Sequence, residues 1–248
     1  MSKSSGLGDN IYVGGYDLSG DVGALSKISG SVALLDVTPI NVKAFVRIGG
    51  LRDGQISYTS FFNPSPGQEH TVLSALPTGD QHLMYCRGTT LGAPSACMVA
   101  KQLNYDPTRD NKGALTIAIQ ADANGFGLEW GNLLTAGLRT DTAATNGTGV
   151  DQTAATNFGG QAYLQLTAFT GTDVTVTIQD SADNVTFTNV TGLSFTAVTA
   201  AHATQRLATA NNATIRRYVR AVTTTSGGFT SATFAVMFVR NPLANQSF

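Results

Sequence analysis

YDLSGDVGALSKISGSVALLDVTPINVKAFVRIGGLRDGQISYTSFFN, residues 16–63, decides the fold class. Residues 24–35 read as a strand, set off from an earlier one at 11–18 by the glycines at 20–23. Further on, Ile56 and Tyr58 alternate with Gln55, Ser57 and Thr59, the period of a half-buried strand. Between them, Gly49-Gly50-Leu51-Arg52-Asp53-Gly54 predicts a sharp hairpin, because Asp-Gly is a favoured tight-turn pair. That leaves residues 36–50 as a long loop, with a short helical piece at 42–47. Loops of this length in a compact domain are commonly functional or ordered by a partner.

The first ten residues read as an arm. One helix is predicted after residue 63. Ser65 offers an N-cap, Pro66 a first helical position and Gln68 a capping-box partner. Val72, Leu73 and Leu76 form the apolar stripe, and Pro77 ends it. Strands then follow at 81–87, 95–105 and 114–121, the last with Leu115, Ile117 and Ile119 alternating with Thr116, Ala118 and Gln120. Residues 124–137 are less periodic and hold the only tryptophan, Trp130.

Residues 140–160 are almost all small and polar, with no periodic apolar face. This places a linker at 141–160 between a unit at 1–140 and one at 161–248. In the second unit Ala162, Leu164, Leu166 and Ala168 share a face, as do Val174, Val176 and Ile178. Residues 216–223 and 230–239 read as a pair of strands around a turn at 224–229. Short strands at regular spacing predict a small β-sandwich. The fold class is therefore mainly β, with one short α-helix.

The order Asp17-Leu18-Ser19-Gly20, Asp36-Val37-Thr38 and Gly50-Leu51-Arg52-Asp53-Gly54 resembles the tail tube proteins (major tail proteins) of long-tailed bacteriophages, over roughly the first 140 residues. Ala44, Phe45 and Val46 stand where that family more often carries charge. Residues 179–190 and 216–228 resemble the Ig-like accessory β-sandwich domains appended to phage structural proteins. The resemblance implies an N-terminal tail-tube β-sandwich or barrel and an outward-facing C-terminal sandwich. It also implies hexameric rings that stack into a tube, with the chain's partners being itself and other tail proteins. Phage DNA would pass through without specific binding, in a virion built from subunits made in the host cytoplasm. Inter-subunit contacts are expected at Asp36, Val37, Phe45, Arg47, Leu51, Arg52 and Asp53. The alternative is a capsid decoration or tail-fibre module that binds host glycans.

Composition narrows the function classes. Charged residues make up 12% of the 248, about half the usual share, and the net charge is −1. No basic field draws nucleic acid, which suits a conduit better than a binder. The N-terminus has no apolar core of a signal peptide, and no apolar run is long enough for a membrane span. His70, His82 and His202 are scattered, without metal-ligand spacing, and no nucleophile elbow or phosphate loop occurs. No catalytic, cofactor or metal residues are therefore assigned. Asp106, Asp110 and Glu129 are acid/base candidates by type only. Asp180, Asp183 and Asn184 read as a turn before a calcium site. Cys86 and Cys97 read as buried thiols facing across a hairpin. Arg216, Arg217 and Arg220 read as edge or interface cations.

Overall fold

The computed structural model describes residues 5–244. Of the described residues 54% are strand and 2% helix, which makes the fold mainly β. In chain order the elements are β1 (Asn10–Val13), β2 (Tyr16–Asp17), β3 (Val22–Asp36), β4 (Arg47–Phe61), α1 (Glu69–Leu73), β5 (Gln81–Cys86), β6 (Pro94–Gln102), β7 (Asp106–Arg109), β8 (Leu115–Ala123) and β9 (Glu129–Leu133). Then come β10 (Arg139–Asp141), β11 (Val150–Asp151), β12 (Gly160–Gly171), β13 (Thr175–Ser181), β14 (Thr188–Ser194), β15 (Ala203–Ala208), β16 (Tyr218–Thr224) and β17 (Phe229–Arg240).

Thirteen strands form one sheet along the path β15-β12-β17-β9-β6-β5-β1-β2, with β10, β3, β4, β7 and β8 branching from it. The other four form a second sheet, β11-β16-β13-β14. Alternation along the central strands sorts their side chains into separate cores. Ile11, Val13, Leu83 and Met98 pack against Ile56, Tyr58, Ile117 and Ile119 of β4 and β8. Ala162, Leu164, Phe234, Val236 and Phe238 pack against Val176, Ile178, Val219 and Ala221 of the small sheet. The residues between them, Tyr12, Met84, Cys97, Tyr163 and Met237, fill a third core. Strands buried on both faces read as continuous apolar runs, as β6 and β17 do.

The two halves share the large sheet. Met237 and Phe238 of β17 lie opposite Leu133 and Asn132 of β9, and Leu134 N–H donates to Val236 C=O at 2.8 Å. Residues 141–160, expected as a spacer, are hydrogen-bonded along the edge of the small sheet. Thr145 and Thr223 exchange both backbone bonds, Gly147 N–H donates to Ala221 C=O, and β11 pairs with β16. Backbone pairing by small residues leaves no apolar period to read.

The predicted turn at 49–54 does not form. β4 runs straight through it, with Asp53 opposite Ser31 and Gly54 opposite Gly30. The turn lies at residues 37–46, where Val42 N–H donates to Pro39 C=O, and no helix forms at 42–47. Gly54 is glycine for a different reason: a Cβ there would stand 2.6 Å from the Leu128 nitrogen.

Other expectations shift as well. The helix spans only Glu69–Leu73, with Gln68 as N-cap and no side-chain cap from Ser65. Gly67 at φ +74 cannot continue a helical turn begun at Pro66. Asp21 serves the helix start instead, its Oδ2 accepting Glu69 N–H at 3.1 Å. Strands β16 and β17 are not a pair but belong to different sheets. The Asp173 carboxylate accepts the N–H groups of Ser226 and Gly227 and fixes the corner between them. A bulge between Leu166 and Ala168 turns Ala168 outward. Cys86 and Cys97 are buried and free on paired strands, but offset: Cys86 faces Ser95 and Cys97 faces Met84.

Candidate assembly surface

β3 and β4 are each 15 residues long and pair from Val22–Ser60 out to Asp36–Arg47. Only Gln55 to Phe61 of β4 have a second partner, β8, and β3 has none besides β4. Beyond Gly30 and Gly54 the two strands are therefore a free ribbon among the described residues. At about 3.3 Å per residue it projects roughly 20 Å before the turn.

The ribbon is apolar on the outside. Leu34 is 67% exposed, Ile40 107%, Phe45 69% and Leu51 85%, and Val32, Leu35, Val37 and Ile48 are also exposed. So many large apolar side chains exposed on one element mark an interaction site more often than an ordinary surface. A two-stranded ribbon is at best marginally stable in water by itself. Its open edges are templates for further pairing.

The expected contact residues fall on it in two groups. Asp36, Val37, Phe45 and Arg47 are gathered at the tip. Asp36 Oδ1 accepts from Thr38 N–H at 2.9 Å and from the Thr38 hydroxyl, which holds its pKa below the usual carboxylate range. Val46 N–H donates to Thr38 Oγ1 at 2.8 Å, closing the turn. The Arg47 guanidinium lies 4.4 Å from the Phe45 ring centre. Leu51, Arg52 and Asp53 sit nearer the root, with Arg52 opposite Val32. Asp53 Oδ1 accepts Gly54 N–H at 2.7 Å, holding the side chain along the strand.

The other polar candidates are held internally. Glu129 is buried, with Arg206 on both of its oxygens at 3.1 Å and the Tyr163 hydroxyl donating to it. Asp180 is engaged by Arg216, Asp151 by Arg217, and Gln179 by Arg220. The Asp183 carboxylate accepts from Val185 N–H and Thr186 N–H, which pushes its pKa far down and forms a turn. Asp106 and Asp110 are exposed, on and just after β7, whereas Glu129 is buried on β9. Among the described residues no three His, Cys, Asp or Glu side chains cluster to hold a metal ion. Among the described residues no helix is long and apolar enough to cross a membrane. Glycan binding would call for exposed aromatic platforms, but Tyr163, Phe195, Phe229, Phe234 and Phe238 are core. Trp130, marked in the sequence only as the single tryptophan, is 51% exposed beside the ribbon's root.

No protein-family profile matches the chain, and no curated protein does. Among solved structures it is similar to a chain from the tail of an empty GTA particle with C6 symmetry. The identity there is 14% and the TM-score 0.40, over 52% of this chain and 98% of that one. It is also similar to the SPP1 Dit protein, described as a hub adsorption apparatus of phages infecting Gram-positive hosts. There the identity is 11% and the TM-score 0.33, over 94% of this chain and 99% of that one. Scores this low do not establish a shared fold, so the functional reading rests on the chain's own geometry.

Proposed function

We propose that this chain is a structural subunit of a bacteriophage tail, the tail tube protein of a long-tailed phage. In this reading it closes into hexameric rings that stack into the conduit for DNA ejection. The observation that carries it is the apolar β3–β4 ribbon, whose outer part pairs with no further strand among the described residues and leaves large apolar side chains exposed. The ordered motifs at Asp17–Gly20, Asp36–Thr38 and Gly50–Gly54 support it, as does a net charge of −1, which leaves DNA free to pass.

Asp36, Val37, Phe45 and Arg47 form the distal contact in this proposal, and Leu51, Arg52 and Asp53 the proximal one. Residues 161–248 face outward as the Ig-like unit. Burial by a neighbour offsets the entropy of ordering the ribbon. The reading assigns no catalytic residue and no cofactor.

Negative-stain imaging of the purified protein at rising concentration tests it. Rings or tubes are expected, and they disappear when residues 38–45 are replaced by Asn-Gly. Discrete particles at every concentration refute the proposal. Discrete particles together with binding on a glycan array would establish the decoration or tail-fibre alternative.

A further inference from the structure

Trp130 stands at the centre of the large sheet, on a strand paired on both sides, yet half of it is exposed. It lies opposite Ala96 of β6, which in turn lies opposite Tyr85 of β5. The small Ala96 side chain lets the two aromatic rings meet edge to face, with centres 6.3 Å apart at 87°. The Trp130 ring is thereby held in place rather than left to swing.

Two adjoining hollows, of 260 and 340 Å³, share Arg52, Leu128 and Trp130 in their walls. Together they make one trough floored by Trp130. One bank is the root of the ribbon, from Gly30 to Val32 and from Arg52 to Asp53. The other is Val239 to Pro242 at the end of β17. An anchored, half-exposed Trp between arginines is the composition of an interface hot spot. The volume is that of a site for a few large side chains.

We infer that this trough is the receptor for the ribbon tip of a second copy of the chain. The inference rests on the assembly reading above and names the surface that reading lacks. Three observations select this occupant. The chain itself carries an apolar tip with no cover, in Val37, Ile40, Phe45 and Val46. The tip cannot reach its own trough, because the ribbon's root is one of the trough's banks and the strands stay paired out to Asp36 and Arg47. Charge matches as well: Asp36 is an acid at the tip and Arg240 a cation on the rim. A tip from one copy in the trough of the next is a head-to-tail contact, which propagates into a ring or a stack.

Trp130 is the only tryptophan, so its fluorescence reports the trough directly. An acceptor protein keeps Trp130 but has residues 38–45 replaced by Asn-Gly. A donor protein keeps the ribbon but carries Trp130→Arg, so it is dark and its own trough is blocked. Circular dichroism checks that both fold. Titrating donor into acceptor is expected to move the Trp130 emission to shorter wavelength and reduce its quenching by acrylamide, saturably. A donor that also lacks residues 38–45 is expected to do neither. If the wild-type protein assembles but the mixture leaves emission and quenching unchanged, the trough is not the receptor, while the assembly reading stands. If the wild-type protein never assembles, both fall.

Discussion

Glu69 at the start of α1 gives the sharpest test of the packing described above. Its side chain is fully buried. Oε1 accepts the Ser60 hydroxyl at 2.6 Å, while Oε2 has no hydrogen-bond partner. Asp21 lies beside it, accepting Glu69 N–H, and no Lys or Arg forms an ion pair with either acid among the described residues. Burial, with a smaller push from Asp21, raises the Glu69 carboxyl from 4.5 to about 7, against the pull of Ser60. Below pH 4.5 the group is protonated in both folded and unfolded chains, and its contribution is level. Between 4.5 and 7 the unfolded chain releases the proton while the folded chain keeps it. Stability must therefore fall as pH rises through that window and level off above it. The gap corresponds to about 3 kcal/mol at full extent. In Glu69→Gln the amide can still bond Ser60 but cannot ionise. Urea denaturation at pH 5 and pH 8 is the assay. The wild-type protein is expected to lose about 2.5 kcal/mol relative to the variant between the two, because the unfolded carboxyl is already partly ionised at pH 5. Parallel curves for the two proteins across the range would refute the claim that Glu69 holds a proton in the fold.

Ile40 and Phe45 are exposed and touch no core, so the double change to serine is expected to move the unfolding midpoint within the small range usual for surface sites. Each should nevertheless weaken subunit association by about 2 kcal/mol, roughly 30-fold, read as the rise in concentration needed for assembly by sedimentation. Gly54→Ala drives a methyl group into the Leu128 backbone and should cost about 1–3 kcal/mol in a urea melt; a neutral result would show that this approach can relax freely. Arg206→Met leaves Glu129 buried without its cation and should cost about 3–5 kcal/mol at pH 7, with Glu129→Gln in the same background recovering part of the loss.

Much of the strand inventory was legible because it rests on local alternation. The Ile56/Tyr58 and Ile117/Ile119 faces point into one core as their period requires, and Val176 and Ile178 into another. The readings that failed are those in which a residue's local meaning was overridden. Asp53-Gly54 is a turn pair by propensity, yet it continues a strand because Leu128 needs the space that glycine leaves. Residues 224–229 read as a hairpin turn, but the Asp173 carboxylate, more than fifty positions away, sends the chain into the other sheet. The exposed ribbon is half legible: Phe45 stands in an apolar stretch and Leu51 in a motif, whereas Trp130 lies in an aperiodic stretch with no local mark of its surroundings.

By itself, then, the sequence determined the class: short alternating runs and glycine-rich breaks make sheets. The tertiary structure decided where the chain turns, which strands share a sheet and which apolar side chains are left outside. Those outcomes depend on contacts between distant residues, Gly54 with Leu128, Asp173 with Gly227 and Leu133 with Met237. Such contacts are set by three-dimensional packing, and no local window of sequence contains them.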